Sequence, residues 1–438
     1  MKSLTEPAMR RPWLPVLLCS ALTLTTAGAG LAEDAEPAHW PNWRGPSVTG
    51  STSKGDYPVR WTLDSVTWKL RLPGKGSSSP VVWQDRIFLT TPADGEDAVM
   101  ALDLAGKVLW QTKLGPESRP KHRTLGSSCN GSPVTDGRGV FVYFRSGHFA
   151  ALEPDGKIRW QHNLTERFGA EQLFWDTGTS PVLTDTHVVL ARMHQGESWI
   201  AGFDKATGEL RWQQARNYRT PTENDNAYTT PVLYREGAQP ALLVWGADHL
   251  TAHDAADGRL LWSCGGFNPD GTGFWPAIAS PVIHADLAIV PVGRDDRAGQ
   301  SRVHAVRLGG RGDVTETHRV WKREDVGVFV ASPAVDAGRA YLLRHQGEIV
   351  CLDPATGQTL WSHALPQHRT PYYASPTIAN GLLYAAREDG TVFVGRVTDR
   401  FELLAENAMG ERILASPIPA ANRLFLRGDA HLFCIAAK

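Results

Sequence analysis

Apolar runs of strand length, broken by polar turns, fill the chain from about residue 61 to its end, and eight of them open on a Ser-Pro or Thr-Pro pair. The pairs are Ser79-Pro80, Ser132-Pro133, Ser180-Pro181, Thr230-Pro231, Ser280-Pro281, Ser332-Pro333, Ser375-Pro376 and Ser416-Pro417, about fifty residues apart. A second element recurs between most of them: a short strand ending in an acidic residue, a turn, then Gly-x-x-x-Trp. It is found at Gly106 to Trp110, Gly156 to Trp160, Gly208 to Trp212, Gly258 to Trp262 and Gly357 to Trp361. A repeat of this length, holding several short strands, is the mark of a propeller built from four-stranded blades. The pattern therefore predicts an all-β chain, an eight-bladed β-propeller of four-stranded antiparallel blades.

One blade can be written out from the second repeat. Ser132-Pro133-Val134-Thr135 opens the inner strand, Gly139 to Phe144 is the second, His148 to Leu152 the third, and Lys157 to Gln161 the outer strand bearing Trp160. Proline suits the first position because the start of an innermost strand needs no ladder partner there. The acidic residues Asp103, Glu153, Asp204, Asp254 and Asp353 read as turn chemistry, bonding amides across a tight reversal. The last repeat stops after a third strand at Phe433-Cys434-Ile435-Ala436, while Val66 to Leu70 has the outer-strand pattern and precedes the first Ser-Pro. The N-terminal strand is thus expected to complete the eighth blade, which removes the exposed edges of an open array. Repeat five carries a Gly-rich tip at Gly309 to Asp313, and repeat seven has Phe401-Glu402-Leu403 in place of the tryptophan, so blade seven is expected to be the loosest joint.

Ahead of the propeller, Lys2, Arg10 and Arg11 precede an apolar stretch from Trp13 to about Leu24 and the small residues Ala27 to Ala32. This reads as a Sec-type signal peptide, residues 1–32, cleaved near Ala32 and followed by an extension, residues 33–60, and the propeller, residues 61–438. The segment is short for a bilayer span, and Cys19 follows Leu18 rather than the small residue expected before a lipid-bearing cysteine. The mature chain is expected to be periplasmic or secreted, monomeric and without a membrane span. The formal charge of -1 becomes -3 when the three basic groups and Glu6 of the leader are removed, which gives no bulk attraction to nucleic acid. Cys129, Cys264, Cys351 and Cys434 are scattered over different blades and read as buried thiols rather than a disulfide framework. Neither a Cys-x-x-Cys-His haem site nor a Cys/His metal cluster is present.

The Ser-Pro-Val strand starts, combined with the pattern at Ala101 to Trp110, Ala151 to Trp160 and Cys351 to Trp361, resemble the pyrroloquinoline quinone (PQQ)-type propeller repeat over nearly all the mature chain. Trp40-Pro41-Asn42-Trp43-Arg44-Gly45-Pro46 is similar to the opening of many secreted proteins with this repeat. The resemblance implies one of two functions: a quinoprotein alcohol dehydrogenase, or a non-catalytic periplasmic propeller such as BamB of the outer-membrane barrel-assembly machine. PQQ and calcium are cofactors only under the first. That branch implies a Cys-Cys pair, clustered carboxylate and amide oxygens for the ion, and long insertions. The chain has no Cys-Cys pair and lacks the insertions, although Glu171, Asp176, Asn224, Asp225 and Asn226 fall in suitable loops.

Six repeats place an arginine near the end of the second strand: Arg145, Arg192, Arg294, Arg344, Arg387 and Arg427. Equivalent positions lie at equivalent heights around a ring, so these are candidates for a band of guanidinium groups that attracts an anionic ligand or a partner protein. The competing reading has each arginine bonding blade carbonyls or stacking on a neighbouring aromatic ring. Loops expected on the same face supply Trp175, Trp275, Tyr372 and Tyr373, with Phe174 and Phe274 beside them, and aromatics interleaved with arginine suit a protein-binding surface. The sequence points to an exported, non-catalytic binding or assembly platform, with no cofactor expected and with other periplasmic or envelope proteins or a small anionic ligand as partner. A PQQ- and calcium-dependent alcohol or sugar dehydrogenase, and a polysaccharide-binding propeller, are the alternatives.

Overall fold

The computed structural model describes residues 39–268 and 270–437. The leader and its cleavage point lie outside them. Eight sheets follow one another along the chain, each carrying four antiparallel strands. Blade 2 is representative, with strands Val134–Thr135, Val140–Tyr143, His148–Leu152 and Ile158–Asn163 in the order predicted. Its third strand is buried along its whole length, as expected of a sheet covered on both faces. Among the described residues the α-helices are Leu164–Phe168 and Thr315–His318, and no helix is long and apolar enough to cross a membrane.

Ring closure follows the predicted scheme. Trp68–Arg71 pairs antiparallel with His431–Ala436, placing Trp68 opposite Cys434, and so supplies the outer strand of blade 8. The Gly-rich tip of repeat five reaches back to blade 4, where Gly312 and Asp313 pair in parallel with Trp262 and Ser263. That contact covers the free edge of blade 4's outer strand.

Two ladders join neighbouring blades. At the periphery, the tryptophan of one blade lies on the turn glycine of the next: a Cβ added to Gly156 meets the Trp110 ring at 2.5 Å, and one added to Gly208 meets Trp160 at 2.6 Å. Both glycines have positive φ, 90° and 74°, so the Gly-x-x-x-Trp motif joins two requirements that act across different blade gaps. The indole N–H groups of Trp68, Trp110, Trp160, Trp321 and Trp361 each donate to a turn carbonyl of the following blade. Blade seven is not left open where its tryptophan is missing. Tyr57 and Trp61 of the N-terminal extension fill that seam, packing with Ala405 of blade 7 and Leu424 of blade 8, while Phe401 stands 6.3 Å from the Trp361 ring in the seam between blades 6 and 7.

At the axis, the eight Ser and Thr residues form a second ladder. Ser79 N–H donates to Ser132 Oγ, Ser132 N–H to Ser180 Oγ, and so on through Thr230, Ser280, Ser332, Ser375 and Ser416, whose N–H returns to Ser79 Oγ. The eight bonds run from 2.9 to 3.2 Å and make a closed circle. Each hydroxyl satisfies an amide of the preceding blade, so the residue before every proline pins two wedges together.

The segment from His39 to Trp61 crosses one end of the central channel. His39–Trp40 adds to the inner strand of blade 1, Pro41 accepts from Thr135 N–H of blade 2, and Ser51–Thr52 pairs in parallel with the inner strand of blade 7. Between these anchors Arg44 is buried, donating to the carbonyls of Pro333 at 2.5 Å and Pro376 at 3.1 Å. Burial lowers its guanidinium to about 9. Gly45 and Gly50 leave room for the Trp40 ring and for Arg44 itself. Further on, Trp61 N–H donates to Asn407 Oδ1 in blade 7. The extension is therefore built into the propeller, where it stops one end of the channel.

Candidate functional site at the open mouth of the channel

Inner strands run along the channel, so sequence offset from the hydroxyl ring translates into height. The carbonyls that hold Arg44 belong to the prolines just after ring members Ser332 and Ser375, on the stopped side. Two residues before each ring member lies a second tier: Ser77, Asn130, Gly178, Tyr228, Ile278, Val330, Tyr373 and Leu414. These line both a narrow neck of about 180 Å³, which also contains the ring and Trp43, and a wider mouth of about 460 Å³. The cavity is a funnel that is blind at the Trp43 end.

The mouth has two aromatic walls. On one side His122 lies 5.0 Å from the Trp175 ring, and Trp175 N–H donates to the Tyr228 hydroxyl at 3.0 Å. On the other, the His345 ring stands 5.5 Å from Phe329 and 5.4 Å from Tyr373. Arg294 stacks 4.5 Å over Phe329 while paired with Asp296 at 2.7 Å. Burial lowers the His345 imidazole and raises the Asp295 carboxyl, which accepts from His345 N–H. Outside the cavity the rim is apolar: Phe174, Trp175 and Phe274 are 55%, 43% and 50% exposed, with Arg297 5.8 Å over Phe274.

The six recurrent arginines occur at equivalent blade positions, but they do not form a free cationic band. Arg192 is buried, donates to the carbonyls of Phe168 and Gly169, and stacks over Trp199. Arg387 is buried against Phe393 and paired with Asp389. Arg427 is 1% exposed and bonded to Ser78 O and Thr90 O. Arg145 pairs with Asp176 at 2.6 Å, and Arg344 with Asp295 and Glu348. Only Arg294 of the six lines the mouth. Trp275 and Tyr372 are also buried, Trp275 beneath Arg302 and Tyr372 against Phe393, whereas Trp175 and Tyr373 face the cavity. The physical reason is local: an arginine at the end of a second strand reaches loop carbonyls and carboxylates before it reaches solvent.

Among the described residues, no group of three His, Cys, Asp or Glu side chains is placed to hold a metal ion. Asp176 is occupied by Arg145 and by Lys121 N–H. Asn224 is fully buried and tied to Trp275 N–H, Thr272 O and Asp248. Glu171 stands apart, its two oxygens buried without a hydrogen bond, and burial raises its carboxyl to about 7. This donor set does not fit a calcium-quinone pair, which needs clustered carboxylate and amide oxygens free to converge on one ion.

A family model described as the outer membrane protein assembly factor BamB matches residues 61–216 and 310–399, more than half of the chain. The chain belongs to the BamB family. BamB of Yersinia pestis is 25% identical over 344 residues, 76% of this chain and 78% of the relative. BamB of Moranella endobia (strain PCIT) is 20% identical over 343 residues, 77% and 69% of the two chains. The crystal structure of BamB from Moraxella catarrhalis superposes with a TM-score of 0.59 at 15% identity, covering 84% of this chain and 96% of that one. A europium-containing methanol dehydrogenase gives 0.65 at 11% identity, covering 91% of each chain. A quinohemoprotein alcohol dehydrogenase from Comamonas testosteroni gives 0.63 at 12%, covering 91% and 80%. At these identities the solved structures share the fold alone. The mouth carries chemistry that sequence reading missed, the tier two residues before each Ser/Thr-Pro; its fixed offset was the available signal.

Proposed function

We propose that this chain is an exported, non-catalytic propeller that serves as a docking platform for envelope proteins during outer-membrane protein assembly. The observation that carries the reading is the rim of Phe174, Trp175 and Phe274 beside Arg294 and Arg297, at the wide end of a funnel whose other end is crossed by residues 39–61. Exposed aromatics next to arginine supply large contact area at low entropic cost, as protein-docking surfaces require. Membership of the BamB family supports the same role. The site is periplasmic in this reading, consistent with the leader pattern of residues 1–32.

The test is photocrosslinking from a light-activated phenylalanine analogue at position 174 or 274 of the exported chain, with position 108 on the circumference as control. Adducts to outer-membrane assembly proteins, several-fold above the control, are expected. Equal yields from the rim and the circumference overturn the platform. The mouth's Trp175 and Tyr373 walls suit a planar ligand, but its oxygens do not fit the accompanying calcium, so a PQQ-dependent dehydrogenase ranks second. Saturable binding of PQQ with calcium, accompanied by dye-linked alcohol oxidation, would establish that reading in place of the first.

A further inference from the structure

The neck below the mouth has an unusual balance of hydrogen-bonding groups. Each of the eight ring hydroxyls accepts an amide N–H from the neighbouring blade, and none gives its own hydrogen to a protein acceptor among the described residues. All eight side chains belong to residues only 3 to 7% exposed, yet they line a common cavity. A hydroxyl that accepts from an amide is polarised toward donating, so eight such groups form a converging donor set. Asn130 adds to it: its Oδ1 accepts from both Ser77 and Ser127 at 2.6 Å, which leaves its amide N–H₂ free to donate.

The charge balance has the same sign. Neither an acidic nor a basic side chain lines the neck. On the stopped side, outside the lining of the neck, Arg44 is buried between blades 6 and 7 with two carbonyls as its hydrogen-bond partners and no carboxylate. One shell outward, Arg427 is likewise buried against Ser78, Thr90 and the Cys129 thiol. The acids of the mouth above are already neutralised, Asp176 by Arg145 and Asp296 by Arg294. A buried guanidinium without a counter-charge is costly, and an anion within reach of its field offsets that cost.

From this arrangement we infer that the hydroxyl ring is a binding site for one small inorganic oxyanion of the phosphate or sulfate type, seated on the channel axis inside the ring. The oxyanion takes hydrogen bonds from ring hydroxyls and the Asn130 amide, and its charge is favoured by the field of the buried Arg44 and Arg427 guanidinium groups. The site is distinct from the aromatic rim, so its occupancy and the docking role stand or fall separately.

The experiment is calorimetric titration of the full mature protein, first dialysed free of multivalent anions, with inorganic phosphate and then sulfate. One saturable site per chain is expected. Ser280→Ala with Ser375→Ala, and separately Arg44→Gln, are expected to weaken phosphate at least about tenfold. Ser280→Thr with Ser375→Thr keeps every ring hydroxyl, as native Thr230 does, and is expected to retain the site. Should the alanine variant fail to fold, selenate soaked into wild-type crystals provides the second measurement, with its anomalous peak expected on the axis inside the ring. No saturable binding to the wild type, undiminished affinity in the alanine variant, or a selenate peak only outside the neck would each overturn the assignment.

Discussion

At Gly156 a single hydrogen in place of a side chain serves two purposes, a left-handed turn and a seat for the neighbouring blade's Trp110. Gly338 has a similar φ of 76° but nothing within 4 Å of an added Cβ. Gly338→Ala is therefore expected to cost about 1 kcal/mol, and Gly156→Ala roughly 2 to 4 kcal/mol, in urea denaturation. Equal losses would show that the indole stacking contributes nothing beyond backbone strain. Glu171 gives a different residue-scale expectation. Its carboxyl titrates at about 7 when folded against 4.5 ordinarily, so the folded chain holds a proton that the unfolded chain has released. Stability then falls as pH rises from about 4.5 to about 7. Glu171→Gln is expected to remove that decline and to raise stability at pH 8 by about 1 to 3 kcal/mol, as read from melts across pH.

The elements that matter most are the two ladders, and they were legible to different degrees. The repeat spacing placed every Ser/Thr-Pro and every Gly-x-x-x-Trp, and with them the strands, because period and turn chemistry are local properties. It did not say that Ser180 bonds Ser132 of the blade before it, or that Gly156 seats Trp110, since a repeat carries no information about which wedge a side chain leans toward. The arginine band failed for a related reason. Positions 145, 192, 294, 344, 387 and 427 recur, but the carbonyls of Phe168, Gly169 and Arg119 that capture Arg192 and Arg145 lie at a helix end and in a loop outside the repeat. Blade seven was expected to be loose because a tryptophan was missing, and Tyr57 and Trp61, from a segment outside the repeat, fill that seam instead. For the axial ladder, Ser180→Ala strands the buried Ser132 amide and is expected to destabilise the fold by about 1 to 3 kcal/mol, with Ser180→Thr restoring most of it. Calorimetric melting of the pair decides whether the circle carries stability.

For the whole molecule, closure rests on one strand pair between residues 68–71 and 431–436. Thr67 N–H donates to Cys434 O at 2.8 Å, and its hydroxyl accepts from Ala436 N–H at 3.0 Å. Thr67→Pro removes both bonds and is expected to cost roughly 3 kcal/mol or more, read as a lower melting temperature and earlier proteolysis at the blade 8 seam. The stopper segment extends the same dependence, since residues 39–61 touch blades 1, 2, 6 and 7 before the chain enters blade 8. Residues 39–71 are thus neighbours of residues 333–436, roughly three hundred positions further along. A nascent chain cannot finish its axis, its stopper or its final seam until residues 431–436 are made, so native structure arrives late and nearly all at once. Under the export proposed above, the circle closes only after residues 431–436 have crossed.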